Sequence, residues 1–181
     1  VNSLLLIKGN FKKNNQLRFD LINLKEKNNE ISIKGLDLNK SFKIVDIENF
    51  NINYKNKKKI LNKVSLKKDN SNFVIEGESF DASKIINNIM DNDDESSSIF
   101  QSLNSKINIR IKKTYIDEVN YVNSLYGLIN FDNNKINDLE LKSTFPNGKK
   151  INLSIKTNND LETTTKLFTD YPKPLIKRYD F

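Results

Sequence analysis

The chain has 181 residues, 36% hydrophobic and 29% charged, so its core is modest and much of it is solvated. It contains no His and no Cys, which excludes disulfides, thiolate nucleophiles, the usual zinc sites and proton transfer by histidine. The formal net charge is +7 and comes almost entirely from lysine, and no apolar run approaches the roughly 20 residues of a membrane span.

The first half of the chain is made of short runs in which apolar and polar residues alternate, a pattern typical of half-buried strands. Residues 3–9 predict a strand that is buried on both faces or lies at a groove. The phase of the alternation changes after Leu21 and again after Ile44, and such changes indicate β-bulges. The second change predicts either one long bulged strand or two strands joined by a tight turn near Glu48 and Asn49.

The densest basic run is at residues 54–59. Its Lys57, Lys58 and Lys59 are candidates for contact with lipid headgroups or another anionic surface, although lysines equally protect a sheet edge from pairing. Proteins that bind nucleic acid usually add arginines and exposed aromatic rings. Arginine is scarce here and Trp is absent, so we do not expect nucleic acid as a partner.

A helical insert is predicted near residues 81–103. Asp81 is a suitable N-cap, Phe80 and Ile85 have the spacing of a hydrophobic staple, and a helix follows as far as Met90. Ile99, Phe100 and Leu103 predict a second short helical turn. Between the two lies the acidic run 91–95, which we interpret as a solvated loop.

A calcium loop beginning at Asp91 would require Gly at its sixth position and Glu at its twelfth. Those positions hold Ser96 and Ser102, so no metal site is expected. Catalysis would need paired carboxylates, an activated lysine or a Ser–Lys pair, and no such arrangement has a favourable spacing. We therefore expect neither an enzyme nor a cofactor.

Residues 105–157 predict an antiparallel meander with one apolar and one polar face. Two runs at its ends alternate strictly, with turns between them at 132–134 and 146–148. Their apolar members are Ile107, Ile109, Ile111, Ile151, Leu153 and Ile155. A final helix is predicted from Asp160 to Phe168, ended by the prolines at 172 and 174.

The predicted fold is therefore mainly β with minor α. We expect a curled antiparallel meander that forms an open groove or half-barrel, in one domain over 1–181 with sub-units of roughly 1–104 and 105–181. The alternation is equally compatible with a closed β-sandwich, which would be an interaction module without a ligand. A basic nucleic-acid-binding β domain is the third alternative.

Residues 73–90 (FVIEGESFDASKIINNIM) resemble the strand–turn–helix pattern of AsmA-like C-terminal domains of Gram-negative bacteria. The rhythm of strands and turns over 105–157 and the tail at 169–179 are similar to that family as well. The resemblance covers most of residues 70–181 and, more loosely, the strands before them.

The resemblance implies a groove segment of a longer periplasmic protein related to TamB and to bridge-like lipid-transfer proteins. Such a protein is tethered to the inner membrane by a segment outside this chain and carries phospholipid towards the outer membrane. Its partners would be phospholipid acyl chains, further segments of the same chain at both ends, and envelope proteins. The six aliphatic residues of the meander would then face the groove.

Overall fold

The computed structural model describes residues 2–12, 16–90, 100–158 and 162–179. The described elements are β1 (Ser3–Lys12), β2 (Gln16–Glu26), β3 (Asn29–Leu38), β4 (Ile44–Lys55), β5 (Leu61–Asp69), β6 (Asn72–Asp81), α1 (Ser83–Met90), β7 (Ser105–Tyr115), β8 (Tyr121–Asp132), β9 (Lys135–Thr144), β10 (Lys150–Thr157), β11 (Thr163–Thr169) and α2 (Lys173–Tyr179).

The strands form one 11-stranded sheet in which neighbours in sequence are neighbours in space. Every pair is antiparallel except β6 and β7, which run parallel and are separated along the chain by α1. Parallel neighbours need such a crossover, because a tight turn can only reverse the chain. The described strands do not close into a barrel, so the predicted open meander is confirmed, and the sheet continues without a break from β6 to β7.

Both predicted changes in the phase of the apolar alternation coincide with β-bulges. Lys8 pairs with Leu21 and Gly9 with Phe19, which leaves Asp20 as an extra residue in β2. A second register shift, opposite the end of β3, leaves Val45 as the extra residue in β4. Residues 44–55 are one long bulged strand rather than two. Each bulge lets apolar residues return to the same face after a change of phase.

Asp81 caps α1 as predicted, since its Oδ1 accepts a hydrogen bond of 3.1 Å from the backbone N–H of Ser83. Phe80 packs in the main apolar cluster of the sheet, whereas Ile85 is 51% exposed. Ile86 packs instead against a second cluster, beside the turn that follows β7.

Two helix predictions are wrong. Residues 163–168 belong to β11 and pair with β10. Their β-branched threonines favour an extended conformation, in which the χ1 rotamer is less restricted than in a helix. Residues 100–103 are not helical, because their backbone groups bond to Ile44 at the start of β4 and to Asn134 in the turn after β8. Asp160, Ile99 and the acidic run 91–95 lie outside the described residues.

A short C-terminal helix is present, but it lies after the predicted segment, as α2 at Lys173–Tyr179. The prolines do not end it. The carbonyl of Pro172 accepts hydrogen bonds from Leu175 and Ile176, and Pro174 occupies the first turn. Proline is tolerated there because the first helical N–H groups have no intrahelical partner.

A short segment, residues 100–104, crosses one end of the sheet, and we call it the strap. Gln101 N–H donates to the Ile44 carbonyl at 2.8 Å, at the start of β4. Leu103 N–H donates to Asn134 Oδ1 at 2.7 Å, in the turn between β8 and β9. We call the strap's end of the sheet the strap end, and the opposite one the helix end.

The hydrogen bonds of the strap bear on the curvature of the sheet. Two residues of extended chain reach about 7 Å, so the strap holds the Ile44 carbonyl and Asn134 Oδ1 within about 13 Å of each other. Along a flat sheet, four strand spacings from β4 to β8 would separate them by about 19 Å. The shorter separation favours strands that follow an arc, with the strap bridging its chord.

On the polar face, a network of ion pairs joins the first four strands near the strap end. Arg18 contacts Asp37 at 3.2 Å and Glu48 at 2.5 Å, and Lys12 contacts Asp37 at 2.9 Å. The hydrogen bond to Glu48 raises the pKa of the Arg18 guanidinium further. Gly35, at φ +61°, makes room for the Glu48 side chain, which a Cβ at this position would strike.

Candidate functional site: an apolar trough

The strand register aligns one apolar side chain from almost every strand into a row that crosses the whole sheet. We call it the central row, and its pairing is continuous from β1 to β11. Its members are Ile7, Ile22, Ile33, Phe50, Leu66, Ile75, Ile109, Gly127, Leu141, Leu153 and Leu167. Gly127 is the one member without a side chain. Paired residues point to the same face, so these side chains form a single apolar band.

Further apolar residues flank the central row on the same face. Towards the helix end, Leu5, Leu24, Ile31 and Ile52 pair in succession over the first four strands. Towards the strap end, Phe73, Ile107, Ile129, Leu139 and Ile155 pair across β6 to β10. We call this curved apolar face the trough. Ten strand spacings give it a path of about 48 Å across the sheet.

Burial changes along the trough. In the middle, Ile107, Ile109 and Ile111 are 9%, 9% and 6% exposed, in one cluster with Leu36 and Phe73 of other strands. At the edges the same face is open. Leu5 and Ile7 of β1 are 57% and 52% exposed, and Leu167 of β11 is 56% exposed.

Strand β1 is exposed along its whole length, so of the two predicted alternatives, burial on both faces is wrong. Leu4 and Leu6, on the opposite face from Leu5 and Ile7, are 65% and 41% exposed. One side of β1 pairs with β2 and no described strand pairs with the other. Its apolar residues therefore have no packing partner beyond the edge.

The six predicted trough residues lie on one face but in two environments. Ile107, Ile109 and Ile111 are already covered by protein. Ile151, Leu153 and Ile155 of β10 are half-buried and pair with Ser143, Leu141 and Leu139 of β9. Ile151 also packs against the buried cluster of Ile116, Val122 and Phe145, so the surface left for a ligand is chiefly that of Leu153 and Ile155. That any of the six contacts lipid stays a prediction.

The predicted basic contacts lie at the helix end, in the turn between β4 and β5. Lys57, Lys58 and Lys59 are exposed, and Lys58 Nζ forms an ion pair of 2.7 Å with Glu118 in the turn after β7. Exposed pairs of this kind contribute little to stability. The contact brings two turns of the helix end together.

Both helices pack at the helix end. Ile116, Val122 and Phe145 are buried there, with Ile86 of α1 and Leu175 of α2 packed against them. The ring of Phe145 meets that of Tyr171 edge-on, at 5.5 Å between centroids. The helices therefore cover one end of the sheet, while the strap lies at the other.

The polar face carries a hollow of about 700 Å³ over β4 to β8. It lies where the burial phase of β7 changes from Ile111 to Thr114. Its side chains are mostly polar and partly paired. Lys63 contacts Glu78 at 2.9 Å and lowers the pKa of that carboxyl, and Arg110 lies 3.6 Å from Glu76.

The comparisons with known proteins give no relatives. The chain matches no model of a known protein family, no curated protein and no solved structure. Within the described ranges, no group of three or more acidic side chains could hold a metal ion. No helix among the described residues is long and apolar enough to cross a membrane.

Proposed function

We propose that this chain is a non-catalytic segment of an AsmA-like periplasmic protein and carries phospholipid along its trough between inner and outer membrane. The observation that supports the proposal most is the central row, an apolar band with a side chain from every strand but β8 and with exposed residues at both edges. Acyl chains would lie on this band while headgroups stay in water, in support of envelope integrity.

Apolar contacts along such a band would hold a phospholipid and still allow it to move. Each buried CH₂ group contributes about 0.8 kcal/mol, so an acyl chain is held without any specific polar contact. The 48 Å path is about three times the hydrocarbon thickness of one leaflet, which is about 15 Å. A lipid can therefore shift along the row while exchanging one aliphatic contact for another.

The open edges fit a segment of a longer groove. Leu5 and Ile7 of β1 continue the trough to one edge and Leu167 of β11 to the other. We propose that strands of neighbouring segments of the same protein pair there and extend the trough, with a tether in the inner membrane. Unpaired strand edges with apolar side chains otherwise promote aggregation.

The two alternative functions, a closed interaction module and a nucleic-acid-binding domain, would require other properties of the chain. A closed β-sandwich needs a second apolar layer over the trough, whereas the described strands form one sheet that is not closed. A nucleic-acid-binding domain would use the exposed lysines and would lose affinity steeply as salt rises. Lipid held by apolar contacts would remain bound at high salt.

Retention of lipid tests the proposal. The chain is incubated with vesicles of phosphatidylethanolamine and phosphatidylglycerol and re-isolated, and its bound phospholipid is quantified. Aspartate at both Leu153 and Leu167 is expected to lower retention at least about tenfold, because two aliphatic contacts are replaced by charge. Both residues have exposed surface, so the sheet should remain folded.

Ser154→Asp is the matched control, since Ser154 neighbours Leu153 on the opposite face. It should retain as much lipid as the unmodified chain. Absence of bound phospholipid in the unmodified chain would refute the proposal, as would equal retention in the double aspartate variant. Salt-sensitive binding of single-stranded RNA would instead favour the nucleic-acid alternative.

A further inference from the structure

The strap places two apolar side chains inside the trough. Leu103 is 9% exposed and belongs to the cluster that contains Leu36, Ile47 and Ile107, and Phe100 packs against that cluster. These partners come from β3, β4 and β7. The strap therefore covers the central strands of the trough, on the part of each strand that lies at the strap end. Part of the burial of the central strands is thus supplied by the strap.

The strap is attached to the sheet by polar groups that carry no charge. At one side, Gln101 bonds to Ile44 and, through its side chain, to Asn39 at 3.3 Å. At the other, the two asparagines of the β8–β9 turn bond to Ser102, Leu103 and Asn104. Water can replace hydrogen bonds of this kind at small cost.

The β8–β9 turn is built to receive the strap. Asn133 and Asn134 have φ values of +48° and +67°, the left-handed pair of a tight hairpin turn. In this conformation Asn134 N–H donates to the Leu103 carbonyl at 3.1 Å, while its Oδ1 accepts from Leu103 N–H at 2.7 Å. Glycine would preserve the turn and remove the side-chain bond.

We propose that the strap is an internal plug, whose Phe100 and Leu103 side chains occupy the place that acyl chains take when lipid is bound. This inference rests on the proposed function and adds its regulation. Without lipid the plug keeps the middle of the trough dry. Lipid displaces the two side chains, because acyl chains cover the same aliphatic surface and water satisfies the hydrogen bonds that the strap gives up.

Thiol labelling reports displacement directly, because the chain has no cysteine of its own. In Leu103→Cys, vesicles of phosphatidylethanolamine and phosphatidylglycerol should raise the rate of labelling by a water-soluble maleimide at least about fivefold, as the displaced state gains population. In Ile107→Cys, on the trough floor, lipid should slow labelling or leave it unchanged. A slower or unchanged rate at position 103 would overturn the proposal.

Loosening the strap without altering the trough gives a second test. Asn133→Gly with Asn134→Gly should bind phospholipid about tenfold more tightly, because a larger fraction of the chain has an empty trough. Asn70→Gly is the matched control, since Asn70 also has a positive φ, in the β5–β6 turn, and its side chain donates a hydrogen bond to neighbouring Asp69 rather than to the strap.

The outcomes separate the two proposals. If the unmodified chain and every variant retain no phospholipid, the proposed function fails and the plug fails with it. If the unmodified chain retains lipid but Leu103→Cys labelling does not rise, or the glycine pair binds no more tightly, the plug alone is refuted. Tighter binding together with faster labelling supports both.

Discussion

Replacing Ile109 with aspartate is expected to unfold the sheet. Ile109 is 9% exposed and occupies the central row between Ile75 of β6 and Gly127 of β8. Truncation of such a residue to alanine costs about 2–5 kcal/mol, against about 5–15 kcal/mol for the whole stability of a typical domain. Aspartate adds the cost of a buried charge without a partner. Urea denaturation, followed by circular dichroism, measures the loss.

The neighbouring residue provides the control for Ile109. Asn108 lies on the polar face of β7 and is exposed, so Asn108→Asp introduces the same charge one residue away. Its free energy of unfolding should stay within about 0.5 kcal/mol of that of the unmodified chain. Ile109→Val, a milder change, should cost about 0.5–1.5 kcal/mol. Equal stability of Ile109→Asp and Asn108→Asp would show that the middle of the trough is not buried.

A methyl group at Gly127 is expected to push β8 and β9 apart. A Cβ at this position would strike the backbone carbonyl oxygen of Glu140, which cannot rotate away as a side chain could. The backbone must move instead, and overpacking of this kind typically costs about 1–3 kcal/mol. We expect Gly127→Ala to lower the free energy of unfolding by this amount, as measured by urea denaturation. It should also weaken lipid retention, because separating β8 from β9 interrupts the central row.

Gly148 separates the steric effect from the loss of a glycine as such. It has a positive φ of +79°, but a Cβ there would meet no atom within 4 Å. Gly148→Asn should therefore cost little, because asparagine tolerates the left-handed conformation. If Gly127→Ala were as stable as Gly148→Asn, the close approach of β8 to β9 would not matter.

Local patterns in the sequence predict the strands well where the apolar residues fit the period of a strand and not that of a helix. The strict alternation around Ile109 and Leu153 has no helical interpretation, and both runs are strands. The region 160–168 was ambiguous, since its threonines are poor in a helix and good in a strand. Pairing with β10 decided the outcome, and this pairing is not visible in the local sequence.

The central row could not be predicted from alternation alone. Alternation places Ile7 and Ile109 each on a face of its own strand, but the register between strands depends on bulges such as those at Asp20 and Val45. The strap was missed for the same reason, since Leu103 is held by Asn134, which is distant in sequence. The asparagines of the turn were visible, but nothing near them indicated their partner.

Site-specific photo-crosslinking tests the central claim, that phospholipid lies on the apolar face of this sheet. Benzoylphenylalanine is placed at Leu153 and Leu167 of the central row and, on the opposite face, at Ser154 and Lys166, which pair with each other. After incubation with phosphatidylethanolamine–phosphatidylglycerol vesicles and irradiation, adducts are identified by mass spectrometry. We predict phospholipid adducts at Leu153 and Leu167 alone. Equal yields on both faces, or none at the row, would contradict the proposal.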